Sequence, residues 1–188
     1  MNDLMRSLGY DGRRRLEANV AIRGNMRTSQ RAVFLDASAI IAYHVDEPMS
    51  QVLRGWWQTE ATKYTSPLCF FESLNAYKSK WKFQGKLTHD QYRDACFRTY
   101  SWYQASSRHI KDIDFNSPNV FQEAYSLAMK HSLDLSDAFQ ILSVRDGFFA
   151  VLVDDSKTIL CTGDADLSRA ARAEGLKVWD FKVEPHPD

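Results

Sequence analysis

Asp36, Glu72, Asp137 and Asp164 are the residues of this chain whose type and setting suit shared chemistry. Asp36 closes the apolar run Val33-Phe34-Leu35, and Asp164 follows Ile159-Leu160-Cys161-Thr162-Gly163. Glu72 interrupts the apolar stretch Leu68 to Leu74, and Asp137 follows Ser136 where a helical pattern begins. A carboxylate at the exit of a buried strand is costly to desolvate without a partner. Several such groups in one pocket repel one another, and a hard divalent cation resolves the conflict. The pattern therefore predicts a metal-binding pocket made of carboxylates. Asp166 is an outer or indirect ligand in this reading, and Ser38 and Thr162 are hydroxyls that support the acids.

Three of the acids have a second, structural reading. Asp36 and Asp164 stand where a helix N-cap is needed, and Asp137 lies in a first helical turn that favours negative charge. Asp134, three residues before Asp137, competes with it for the third position. Ser73 and Asn75 are candidates to orient Glu72.

The elements that must position these residues alternate between strand and helix. Strands are predicted over 32–35, 63–66, 109–113, 148–153, 158–161 and 176–179. Residues 154–157 form a turn that makes the fourth and fifth of these a hairpin or adds an edge strand. Helices are predicted from Ala37 to Tyr43, from Pro48, from Pro67 to about Gln84, after Thr88, after Ser117, after Ser136 and from Ala165 to Glu174. Thr88 with Gln91 is a capping box, and Ser117-Pro118 pairs an N-cap with Pro at the first helical position. Tyr92, Cys96, Tyr100 and Tyr103 form a packing stripe, and Gly163 is expected to supply a tight strand-to-helix turn. Alternating strands and helices indicate an α/β fold with a central, mainly parallel sheet, in which ligands bind at the carboxyl ends of strands. Asp36 and Asp164 fall at such ends.

A chain of 188 residues suffices for one domain with a sizeable core. Lys plus Arg and Asp plus Glu both total 24, which argues against nucleic-acid binding by bulk charge alone. Residues 1–30 differ from the rest, with six arginines against three acids, and read as a basic N-terminal extension to a domain over 31–188. The three cysteines have neither metal-site nor disulfide spacing, so a reducing, cytoplasmic setting is expected. No apolar run is long enough to span a bilayer, so no membrane partner is expected.

Taken in order, Val33-Phe34-Leu35-Asp36-Ala37-Ser38, Glu72 on an early helix, Ser136-Asp137-Ala138 and Thr162-Gly163-Asp164-Ala165-Asp166-Leu167 resemble the PIN-domain family of metal-dependent ribonucleases. The resemblance covers about Arg31 to Phe181 and is closest to the VapC-type toxins of bacterial toxin–antitoxin pairs. It implies an endoribonuclease that uses Mg²⁺ or Mn²⁺, an RNA substrate, a small antitoxin partner and a homodimer. Asp36 would be the central ligand, Asp137 and Asp164 would complete the shell, and Glu72 would bind directly or through water. The long arm before Arg31 and the segment 148–157 depart from a minimal toxin. RNA would then be held at the rim by Arg54, Lys78, Lys80, Lys82 or the arm, with Trp56, Trp57, Trp81 and Trp102 as stacking candidates that also read as packing residues. The five histidines are scattered and have no assigned role.

Two rivals remain at this stage. A HAD-type phosphatase also begins with Asp after a first strand, but Asp36-Ala37-Ser38 lacks its second Asp. A non-catalytic PIN-like interaction module would not need all four acids.

Overall fold

A computed structural model of the chain describes residues 31–59, 61–150 and 158–185. Four strands form the sheet: β1 (Ala32–Leu35), β2 (Thr62–Tyr64), β3 (Ile159–Thr162) and β4 (Lys177–Asp180). Their order is β2-β1-β3-β4, and every neighbouring pair is parallel. Every residue of β1 and β3 is buried, as expected for central strands of a parallel sheet covered on both faces. The register sets Val33 beside Ile159 and Leu35 beside Cys161. The Asp36 amide then donates to the Cys161 carbonyl at 3.1 Å, carrying the pairing one residue beyond the strand.

That order creates a switch point. The chain leaves β1 toward β2 on one side and leaves β3 toward β4 on the other. Between two adjacent strands whose connections diverge, a crevice opens at their carboxyl ends. Asp36 and Asp164 follow those two strands directly or by one residue.

Among the described residues, seven helices accompany the sheet: α1 (Ala37–His44), α2 (Ser50–Trp57), α3 (Pro67–Lys82), α4 (His89–Ser106), α5 (Pro118–His131), α6 (Leu135–Asp146) and α7 (Ala165–Ala173). Local chemistry explains their starts. Ser66 caps α3 by accepting from the Cys69 amide, with Pro67 in the first turn, where a missing N–H costs nothing. Thr88 and Gln91 form the full capping box of α4. Gly85 (φ 63°) and Gly175 (φ 79°) supply left-handed turns after α3 and α7.

Several expected elements differ. α2 starts at Ser50, not Pro48. Met49 takes φ 69° before it, and Ser50 Oγ accepts from the Glu47 amide while donating to the Val45 carbonyl. Its buried face is Leu53 and Trp56, with Val52 exposed. β2 ends at Tyr64, since Thr65 turns its hydroxyl to the Leu35 carbonyl and Ser66 is spent on the cap. Asp134, rather than Ser136, occupies the N-cap position of α6, although its side chain makes no capping bond.

Residues 109–113 are irregular, because β2 pairs only with β1 and the charged Lys111 and Asp112 interrupt the apolar run. Residues 148–150 form a turn, and β3 finds parallel partners on both sides in place of a hairpin; 151–157 lie outside the described residues, as do the basic residues 1–30. The seam of α4 is Ala95 and Thr99, while Tyr92 and Cys96 are half-buried and Tyr100 is exposed. Tyr103 stacks on Phe70 at 4.4 Å. Among the described residues, no helix is long and apolar enough to cross a membrane.

Candidate functional site

Asp36 is 4% exposed and accepts from the Ser38 amide, from Ser38 Oγ at 3.0 Å and from the Thr162 hydroxyl. It is at once the N-cap of α1 and the buried end of β1. Ser38 Oγ also accepts from the Gly163 amide at 2.7 Å, and Thr162 Oγ1 accepts from the Asp164 amide at 2.9 Å. These bonds tie the ends of β1 and β3 together, so Ser38 and Thr162 hold the first and last acids in one place. Burial pushes the Asp36 carboxyl up to about 6, against the three hydrogen bonds, and the charge of Asp164 adds to the rise.

Asp137 lies half-buried in the first turn of α6. Its carboxyl is pushed up to about 7, first by burial and then by the charges of Asp164, Asp36, Glu72 and Asp134. Four acids from three other elements and the start of α6 itself thus act on one carboxyl. Glu72 sits half-buried on α3. The buried Cys69 thiol one turn earlier is held high by burial, then by Asp36 and by Glu72. Ser73 does not orient Glu72: it is buried and donates to the Cys69 carbonyl at 2.7 Å, and Asn75 is exposed.

Asp134 is exposed, whereas Asp137 points into the group. Asp164 is exposed and caps α7, accepting from the Asp166 and Leu167 amides at 2.8 and 3.0 Å. Asp166 is exposed, and its carboxylate pairs with Arg169 at 2.7 Å.

A family comparison matches residues 33–173 to the PIN domain. This chain belongs to the PIN-domain family. PIN domains are typically nucleases, and that membership replaces the phosphatase reading. No curated protein matches the chain.

The PIN pocket's donor set consists of carboxylate and hydroxyl oxygens, the chemistry that suits Mg²⁺ or Mn²⁺. Burial and then like charge raise the Asp137 carboxyl, and a hard cation would relieve both. Among the described residues, however, no three His, Cys, Asp or Glu side chains stand close enough to bracket an ion. The donors fit a hard cation in kind, and ligation requires the carboxylates to close on it.

Of the cations expected to hold RNA, Arg54 is committed to Asp46 and the Tyr43 carbonyl, and Lys80 to Glu47, all at or beyond the C-terminal end of α1. Lys78 and Lys82 lie exposed on α3. The tryptophans pack against aromatic neighbours: Trp56 on Trp179 at 4.9 Å, Trp57 on Tyr43 at 3.7 Å and on Trp102, and Trp81 on Tyr92.

One contributor is not legible in the sequence. Gln140 donates to Asp137 Oδ1 at 3.2 Å, and its signal was a lone amide in the apolar run Ala138 to Leu142. Gly163 lies in the expected tight turn between β3 and α7; its φ is outside the left-handed region, and close approach is what calls for glycine. A Cβ there would stand 2.7 Å from Phe181 Cζ and 2.7 Å from Lys182 Cε. The Lys182 stem can move, but the Phe181 ring is fully buried. Gly163→Ala is expected to destabilise the protein by about 1–3 kcal/mol, read by urea unfolding, because overpacking must displace the ring. The same shift pulls the Gly163 amide from Ser38, so RNA cleavage should fall with it.

Proposed function

We propose that this chain is a Mg²⁺- or Mn²⁺-dependent endoribonuclease and the toxin of a toxin–antitoxin pair. One observation supports the nuclease reading: Asp36, Glu72, Asp137 and Asp164 come from separate elements to the switch point of a parallel sheet, where burial first and then the charges of the other acids raise the Asp137 carboxyl. A structural cap needs no such convergence. Asp36, Asp137 and Asp164 are the proposed ligands, with Glu72 ligating directly or through water; Asp166 is at most an outer contributor. When bound, the divalent cation supplies Lewis acidity at the phosphate and an activated water.

The chain's own residues fix the acids: Ser38 and Thr162 hold Asp36, and the cap of α7 holds Asp164. RNA backbone would lie along the exposed Lys78 and Lys82 of α3. The toxin role, the antitoxin, the homodimer and a cytoplasmic location rest on the VapC-like motif set; three free cysteines accord with a reducing compartment. A small neighbouring reading frame with a DNA-binding pattern would support the antitoxin.

Incubation of labelled single-stranded RNA with the protein and Mn²⁺ tests the activity. Internal cleavage that EDTA stops is expected. Asp164→Asn should slow it by about tenfold or more, since Asn keeps the N-cap and removes only the charge. Cleavage that persists in EDTA, or that is equal in the variant, rejects the reading. A non-catalytic PIN-like module would show no saturable Mn²⁺ binding.

A further inference from the structure

Gln140 is an unusual residue for its surroundings. It is 2% exposed on α6, between the buried Phe139 and Ile141. Its Nε2 donates to Asp137 Oδ1 at 3.2 Å, while its Oε1 is buried with no hydrogen-bond partner. An orphaned buried acceptor lowers stability, and an apolar side chain of the same length would avoid that cost. Core packing therefore does not account for an amide here. The amide's one donated bond goes to the carboxyl that faces four like charges.

We infer that Gln140 is a positioning residue for the metal pocket: its amide N–H holds Asp137 Oδ1 and thereby presents Oδ2 to a divalent cation. The spacing permits this, because residues three apart on a helix are neighbours. A donor on Oδ1 opposes the outward swing that repulsion from Asp36, Glu72, Asp134 and Asp164 would drive. Outer partners of this kind orient ligands and typically change metal affinity 10–100-fold when removed. The inference rests on the metal-dependent reading above and adds a residue that does not itself touch the ion.

The test is Mn²⁺ titration of the full chain without RNA, followed by calorimetry or by loss of the free-Mn²⁺ paramagnetic signal. Gln140→Met keeps the length and apolar fit but removes the donor. Its Mn²⁺ affinity should fall about tenfold, with the melting temperature in EDTA unchanged or raised. In an Asp137→Asn background, the same substitution should change Mn²⁺ affinity less than twofold, because the group it positions is gone. A merely structural Gln140 would weaken binding equally in both backgrounds, and that result overturns the inference. So does unchanged affinity in Gln140→Met while Asp137→Asn still weakens binding, which leaves the metal site standing. Absence of saturable Mn²⁺ binding by the wild type overturns the metal reading itself and this inference with it. Gln140→Leu repeats the comparison in a second apolar shape, should the Met variant fail to fold.

Discussion

Asp36→Asn should reduce Mn²⁺-supported RNA cleavage by about 10²-fold or more and leave the fold intact. The two halves of that expectation come from the same side chain. As a cap, Asp36 needs only an oxygen that accepts from the Ser38 amide, and Asn supplies one. The Ser38 and Thr162 hydroxyls, which donate to the carboxylate, can rotate to accept from the new amide. As a ligand, Asp36 must be an anion at the carboxyl end of β1, and Asn cannot be. Initial cleavage rates at saturating Mn²⁺, with a melting curve of each protein, separate the two roles. A variant that cuts within threefold of wild type would remove Asp36 from the centre of the site. One that fails to fold would show that the charge is structural.

The same duality explains what was legible in the chain. The apolar run ending at Asp36 and the turn at Asp164 announce themselves because strand exit, cap and acid coincide within a few residues. Both proved to lie on adjacent strands, held together by Ser38 and Thr162. The choice between Asp134 and Asp137 was closed to sequence. Both lie at one helix start, and only the direction of α6 relative to the sheet turns one of them inward. Residues 109–113 and 148–150 carry enough apolar content to look like strands, but a strand exists only where a neighbour offers its ladder, and neighbours are a tertiary fact. The turn at Gly163 is legible, but the full need for glycine is not: its φ lies outside the left-handed region, and what excludes a Cβ is the Phe181 ring, 18 residues away in sequence. Gln140 is not legible either, because an isolated amide in an apolar helix has no partner until α6 is placed beside the other acids.

Asp137→Asn should make the metal-free protein more stable at pH 8 while impairing Mn²⁺ binding. The sign follows from the raised carboxyl. In the folded state Asp137 keeps its proton up to about 7, whereas the unfolded chain releases it in the usual carboxylate range. The folded state therefore binds more protons across that interval, and stability from this group falls as pH rises from about 4 toward 7. Above pH 7 the full cost of a repelled carboxylate is present, and below the usual range it is absent. Asp36 adds a similar fall that ends near pH 6. Asp137 is only half-buried, so solvent screening reduces the cost to about 1–2 kcal/mol. Removing the charge should raise the melting temperature in EDTA by about 3–6 °C at pH 8, and by far less at pH 4.5. Mn²⁺ should invert the order. Wild type gains about 2.7 kcal/mol at a hundredfold excess over its dissociation constant, and a variant that binds poorly gains little. Melting curves at two pH values, with and without Mn²⁺, test the whole argument. An Asp137→Asn protein that melts no higher than wild type in EDTA at pH 8 would mean that burial and the four acids together impose no cost on Asp137, and the electrostatic case for a cation at this pocket would fall with it.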